Sequence, residues 1–408
     1  MKKDFWFEHR KFWRNRKNLA VILLTAVALL GLVLFNTYRD HNYWGMFGIR
    51  YPELGEERSQ LVIREVKPLR RRMQALNLGT NEDTKTLEEM EETYDFYHDH
   101  DLLIYQQSMV ARDYDKSRAQ ERIELAIRSD QHLLNGLEKG YSYLDETPAG
   151  IQQRLLINQH LLEENQEPIR TPYTMTGTNF LYQLFSYPWL LIVLVGLCLL
   201  NLDIFSGDFD GGAYKVLFSQ PYRRQKIYGV KYLVNFLNSF VIVTGLILLC
   251  FVVVSLINGL GDTAYPAEYF SQSYRSLSIE TPHIPGDLSF VAWGGYMLRA
   301  FPLYFVLCCF IIAVIGTASL LLKNTANTLS CFISLLFLDI VFRAIFVNES
   351  LFYKLWPFTP LSLNEVLQGS FSLTALAFLI LLGILTVILL TAGLITLQKQ
   401  DLTGGISR

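Results

Sequence analysis

Six stretches of this sequence are each long and apolar enough to cross a bilayer as a helix, which takes about 20 mostly apolar residues. They fall at 19–36, 179–203, 233–257, 290–322, 326–347 and 373–397. The expected fold class is therefore an all-α polytopic membrane protein: six transmembrane helices, with a helical extracellular domain between helices 1 and 2. The first stretch sits too far into the chain, and lacks the small-residue cleavage site, to read as a secretory signal. The fourth is too long for one straight span. Arg299 and Pro302 divide it into an interfacial segment and a span from about Leu303.

Charge is low and unevenly spread. Hydrophobic residues make up 51% of the 408, and charged residues only 18%, against about 25% in a soluble globular chain. That excludes a disordered chain and a simple soluble enzyme. The stretch 38–178 holds 17 of the 36 basic and 25 of the 38 acidic residues, which marks 37–178 as one hydrophilic domain inserted in a membrane protein. A net charge of -2 argues against nucleic acid as a partner. The five cysteines, Cys198, Cys250, Cys308, Cys309 and Cys331, all lie in apolar runs. They offer the inserted domain no disulfide framework and no zinc site.

Lysine and arginine placement sets the orientation. Residues 1–18 carry Lys2, Lys3, Arg10, Lys11, Arg14, Arg16 and Lys17, and the 204–232 loop carries Lys215, Arg223, Arg224, Lys226 and Lys231. The 258–289 and 348–372 loops hold only Arg275 and Lys354. Both termini, including the 398–408 tail, are expected in the cytoplasm, and the 37–178 domain outside. The chain start adds a membrane anchor. Phe5, Trp6, His9, Phe12 and Trp13 share one face of a helical wheel while Arg10, Lys11, Arg14 and Lys17 take the other. That pattern predicts a cytoplasmic amphipathic helix over 1–18 lying in the lipid interface.

Within the inserted domain, Leu87, Met90, Tyr94 and Tyr97 recur at three- and four-residue steps, and Ile123, Ile127, Leu134, Leu137 and Tyr141 more loosely. This is the period of packed amphipathic helices. Breaks are expected at 78–81 and 147–150, and a hairpin bend near 111–114. The cluster Glu88, Glu89, Glu91, Glu92, Asp95, His98, Asp99, His100 and Asp101 has the ligand types for a metal or a cationic peptide, but no diagnostic spacing. A solvated helix face is the default reading, and no metal site is assigned.

The most informative stretch is the 204–232 loop. Asp208 and Asp210 place negative charge at the expected start of a short helix, where the dipole favours it. Val216, Leu217 and Phe218 offer a compact apolar surface, Pro221 stops the helix, and a basic run leads into the third span. A short helix held just below the membrane with such groups exposed is a docking element. The plainer alternative is a basic loop that only fixes topology.

This loop resembles the one after the second span in ABC-2-type transporter permeases. Phe205, Ser206, Gly207, Asp208, Asp210, Gly212, Leu217, Ser219, Pro221, Arg224, Lys226 and Lys231 match the family pattern in order. It departs by Asp for the usual Glu, Ala213 for Thr, and Arg223 for a small residue. The six-span layout, the amphipathic start and the large insertion between spans one and two resemble one branch of that family. The resemblance covers the membrane part and not the inserted domain. It implies a subunit of a bacterial plasma-membrane exporter that pairs with a second permease subunit, identical or not, and carries two copies of a separate ABC ATPase. ATP and Mg would sit on the ATPase, since the chain has no G-x-x-x-x-G-K-[ST] loop, and this chain would be neither enzyme nor cofactor carrier. Gly207, Asp208, Asp210, Gly212, Tyr214, Leu217, Phe218, Pro221 and Arg224 would form the ATPase contact. The substrate would be a peptide, a lipid-like or another amphipathic molecule.

Two further features bear on function. Asp339 and Arg343, four apart in the fifth span, can pair on one helix, and ionisable groups in spans are functional candidates. The 348–372 stretch is too polar for a full span, and short outer helices dipping back into the membrane are expected there. A second functional class is a membrane sensor or scaffold whose outer domain binds a ligand or partner protein. An intramembrane enzyme is disfavoured, with neither H-E-x-x-H nor G-x-S-x-G present.

Overall fold

The computed structural model describes residues 2–45, 61–76, 84–112, 118–141, 148–166, 173–186, 189–215, 223–270, 288–345, 356–358, 361–368 and 373–399. It is an all-α polytopic membrane protein. Six helices are long and apolar enough to span a bilayer: Arg16–Asp40, Trp189–Asp210, Arg224–Asn258, Trp293–Leu322, Thr325–Phe342 and Ala375–Lys399. The chain divides into two compact units, one built from residues 35–174 and the other from the segments before and after it.

The membrane unit begins with α1 (Lys2–Arg14) and α2 (Arg16–Gly45), separated at Asn15. The helices of the inserted unit, α3 (Lys67–Leu76), α4 (Thr84–Arg112), α5 (Ala119–Glu138) and α6 (Pro148–Glu163), come next in sequence. The membrane unit resumes with α7 (Gly177–Leu184), α8 (Trp189–Asn201), α9 (Ser206–Asp210) and α10 (Arg224–Asn258). A small antiparallel hairpin follows, β1 (Pro266–Phe270) on β2 (Leu288–Ala292). The last helices are α11 (Trp293–Leu322), α12 (Thr325–Ile345), α13 (Leu363–Leu367) and α14 (Ala375–Lys399).

Helices α8 and α11 form the centre. Leu190, Val193, Leu194 and Leu197 of α8 and Leu303, Leu307, Cys308, Ile311 and Ile312 of α11 are all fully buried, as are Phe378 and Leu382 of α14. Outer helices keep exposed apolar faces, among them Val241 and Leu248 of α10, Phe337 of α12 and Val387 of α14. A helix apolar all round is either a core helix or a membrane span; here the exposed faces are what lipid or a further helix would cover. Small residues allow close crossings. A Cβ on Gly196 of α8 would meet Thr25 of α2.

Two sequence expectations need correction. The stretch 179–203 is not one helix: α7 ends at Leu184 and α8 starts at Trp189. The stretch 290–322 is not divided at Arg299 and Pro302, because α11 runs unbroken through Pro302. A proline removes one backbone donor, but flanking apolar packing, with Ala300 and Leu303 fully buried, holds the helix on course. Helix α10 carries the third apolar stretch back from 233 to Arg224, since polar residues in its first turns find partners within the chain.

In the inserted unit, Leu61, Tyr97, Ile104, Leu133 and Ile151 make the core, joined by Phe96, Leu134 and Leu137. Helix α4 ends at Arg112 and α5 begins at Ala119; residues 113–117, where most of the bend expected near 111–114 would fall, lie outside the described residues. Helix α6 opens on Pro148, a residue suited to the first helical position. Glu89, Glu91, Glu92, Asp95 and Asp99 are exposed, whereas His100 and Asp101 are buried. Among the described residues no three His, Cys, Asp or Glu side chains come together to hold a metal.

Candidate functional site

The strip from Asp203 to Lys215 follows the second span and is tied into five helices. Phe205 and Ser206 donate their backbone N–H groups to Ser319 Oγ of α11, at 3.1 and 2.7 Å. Asp208 sits in the first turn of α9, 6% exposed. Its carboxylate pairs with Lys231 of α10, itself 2% exposed, and with Lys11 of α1 at 2.6 Å. Glu8 of α1 lies 3.6 Å from the same Lys231 ammonium. Asp210 accepts from the Thr325 N–H at 3.1 Å and the Thr325 hydroxyl at 2.8 Å, and from Asn324 at 3.2 Å. It thereby caps the start of α12 from outside, where four backbone donors lack helical partners.

Electrostatics favour this clasp. Burial pushes the Lys11 ammonium down, but Asp208, with Glu8 and Asp203 beyond it, outweighs burial and raises its pKa above the usual lysine value. At the far end of α1, the hydrogen bond from Lys226 holds the Asp4 carboxyl below its ordinary range, with the ammonium 2.8 Å away. Asn15 Nδ2 and Lys17 both donate to Asp203, Asn15 at 2.8 Å, and His9 meets Asn238 at 2.9 Å. Asp4, Glu8, Lys11 and Asn15 thus line one face of α1 and its end, turned toward the chain.

That pattern alters the reading of α1. The expected aromatic face is divided: Phe12 is buried and Phe5 half-buried, while Trp6, Phe7 and Trp13 are exposed beside Arg10 and Arg14. Acid-base pairing holds the inner side, and tryptophan with arginine, the composition of a headgroup-level surface, forms the outer.

The strip's acidic residues therefore differ from an open docking face. Asp208 is enclosed because Lys231 would otherwise be a bare buried charge. Asp210 is exposed yet bonded to α12. Gly207 is half-buried, and Arg224 Nη1 donates to the carbonyls of Leu397 and Gln398 at the end of α14. What faces outward is the turn after α9. Gly211, Gly212, Ala213 and Lys215 are exposed and Tyr214 half-exposed, with Gly212 at φ 71°, the left-handed region that favours glycine. The rings of Phe209 and Tyr214 lie 5.0 Å apart, and Lys323 sits over Phe209 at 5.8 Å. Leu217, Phe218 and Pro221 lie outside the described residues.

Asp339 is 1% exposed in α12 and accepts from the Trp356 indole at 3.1 Å; the Arg343 side chain lies outside the described residues. Sequence reasoning missed Glu8 and Lys11 as a pair three residues apart on the inner face of α1. A lysine at 231, seated among residues that continue into an apolar run, was the available signal that a carboxylate must meet it.

No protein-family model, curated protein or solved structure matches the chain.

Proposed function

We propose that this chain is the permease subunit of an ATP-driven ABC-2-type exporter, moving a peptide, lipid-like or other amphipathic substrate across a bacterial plasma membrane. The observation that carries the reading is the clasped strip. A transport subunit driven by a separate ATPase needs a surface element that transmits force without deforming. The 203–215 strip is fastened to α1, α2, α10, α11 and α12 by ion pairs and side-chain hydrogen bonds, while its last turn stays open to a partner. In this reading both termini and the strip are cytoplasmic, two ABC ATPase copies with their ATP and Mg press on the turn at Phe209–Lys215, and a second permease subunit completes the assembly.

Co-purification tests it. The full-length chain should bring down a P-loop ATPase, and Tyr214→Ala with Lys215→Glu should reduce the yield at least tenfold at unchanged thermal stability. A chain that purifies without any such ATPase, or a capture indifferent to both changes, removes the proposal. A sensor or scaffold is the second reading, favoured by the separate core of the inserted unit and by a cleft of about 550 Å³ there, lined by Tyr105, Met109, Val110 and Leu125 together with the ion-paired Arg118 and Glu121 and Arg128 and Glu124. It predicts that ATPase-inactivating mutations leave the phenotype intact.

A further inference from the structure

Helix α4 of the inserted unit has a buried side and an outward side, and the outward side is not simply polar. Glu91, Asp95, Asp99, Leu102, Gln106 and Met109 follow one another at three- and four-residue steps, which sets them in line on one face, and all six are exposed. Tyr97 and Ile104, on the other side, belong to the core of the unit. The strip is acidic in its first half and apolar in its second. Glu89 and Glu92 flank the acidic half, both exposed. The ion pairs of the unit lie elsewhere among the described residues, at Arg118–Glu121, Arg128–Glu124 and Arg154–Asp130, and none of these five carboxylates is paired there. In the apolar half Leu102, Tyr105 and Met109 are 42, 42 and 44% exposed. Tyr105 and Met109 also line the cleft of about 550 Å³, where they meet the buried Val110 and Leu125 and two ion pairs that are each neutral overall.

We propose that this strip and cleft bind a peptide with a basic segment and an apolar segment: lysine or arginine side chains on Glu91, Asp95 and Asp99, apolar side chains on Leu102, Tyr105 and Met109 and in the cleft. Single exposed apolar residues need no explanation, but three on one face beside a cleft form a patch, and such patches mark binding surfaces. Methionine adapts its shape to varied apolar partners, which suits a ligand class better than one fixed sequence. The charges name the occupant. Five carboxylates repel anionic ligands, and a purely apolar ligand leaves the acidic half uncovered. Spacing then favours a peptide over a cationic molecule with a single charged head. Residues four apart on α4 stand about 6 Å apart along its axis, close to the roughly 7 Å between alternate side chains of an extended chain, so several cations in series meet several carboxylates. From Glu91 to Met109 the strip runs about 27 Å, the reach of about eight extended residues. The exposed cations Arg64, Lys67, Arg70, Arg71 and Arg72 lie on a preceding segment. They polarise the unit, which fixes where a basic segment settles. As a binding surface the strip stands without the transport reading; as the place where substrate is received or released it rests on that reading and narrows the substrate to a peptide.

The test uses the full-length chain in nanodiscs of zwitterionic lipid, with empty nanodiscs subtracted and no ATPase present. The probe is a fluorescein-labelled twelve-residue peptide in which lysine and glycine alternate through the first half and leucine and serine through the second. Fluorescence anisotropy should show saturable binding. Glu91→Lys with Asp95→Lys should weaken it at least tenfold, and so should Leu102→Gln with Met109→Gln. All four positions are exposed, so melting temperatures should not change. Probe peptides with glutamine for lysine, or serine for leucine, test the same two halves on the unaltered chain, and each should bind at least tenfold more weakly. No saturable binding, or an affinity indifferent to either pair of changes, overturns the proposal. Binding in detergent that is lost in nanodiscs would give the strip to the bilayer, and binding to discs with one chain but not two would give it to a second copy; either result overturns it. Failed binding leaves ATPase capture untouched, and failed capture leaves the peptide result standing.

Discussion

Lys231 and Asp208, 23 residues apart in sequence, close on each other as a buried ion pair, with 2% and 8% of their side chains exposed. The pair joins α10 to α9, and through Lys11 and Glu8 to α1. Its charges lie where desolvation is severe, so the arrangement is stable only while complete.

Removing one member should therefore be worse than removing both. Breaking a buried pair costs about 3–5 kcal/mol. Lys231→Met and Asp208→Leu should each fall near the lower end, because Lys11 still reaches Asp208 and Glu8 still reaches Lys231. The double variant should recover most of the loss. Denaturant titration of the purified chain gives the double-mutant cycle; strictly additive losses would contradict the pairing.

Asp210 predicts a smaller and more local effect. Asp210→Ala removes the acceptor for the Thr325 N–H, and loss of a helix cap costs about 1 kcal/mol. Hydrogen exchange should quicken at the first turn of α12 and nowhere in α8. Uniform quickening across the bundle would argue that Asp210 does more than cap.

In the inserted unit, Tyr97 gives a pH dependence. Burial first, then the charges of Glu65 and Tyr141, push its phenol from 10.0 up to about 12. The folded value is the higher one, so the stabilisation is whole below pH 10 and is lost as pH rises toward 12. The loss is of order 2 kcal/mol, since each pKa unit is worth about 1.4 kcal/mol. Circular dichroism melts between pH 9 and 12 should show the decline, and Tyr97→Phe should flatten it.

Gly196 tests the crossing of α8 with α2. A Cβ there would overlap Thr25, whose hydroxyl donates back to the Val21 carbonyl at 2.9 Å. Gly196→Val should destabilise the membrane unit by about 1–3 kcal/mol, the usual penalty for overpacking, and Thr25→Ala in the same chain should restore part of it. Measured melting temperatures that ignore the second change would place the clash elsewhere.

The amino-acid sequence by itself determined the class of fold. Long apolar runs leave a backbone in hydrocarbon no partners but its own, so the spans at 233–257 and 373–397 and the helical character of the insert were legible from local composition and period. The strip at 203–215 was legible as special because glycines, aspartates and a basic flank meet there. Tertiary structure alone decided which of its groups face inward. Asp208 is enclosed because a lysine 23 positions later points at it, and α1 turns its acid-base face to the chain because those carboxylates need cations more than its tryptophans need burial. It also decided that 179–203 is not one helix, since Asn364, some 180 residues away, offers its amide to Tyr182 and Ser186 where α7 ends. Periodicity reports what one segment wants from its surroundings; ion pairs and shared amides depend on what distant segments bring to the same place.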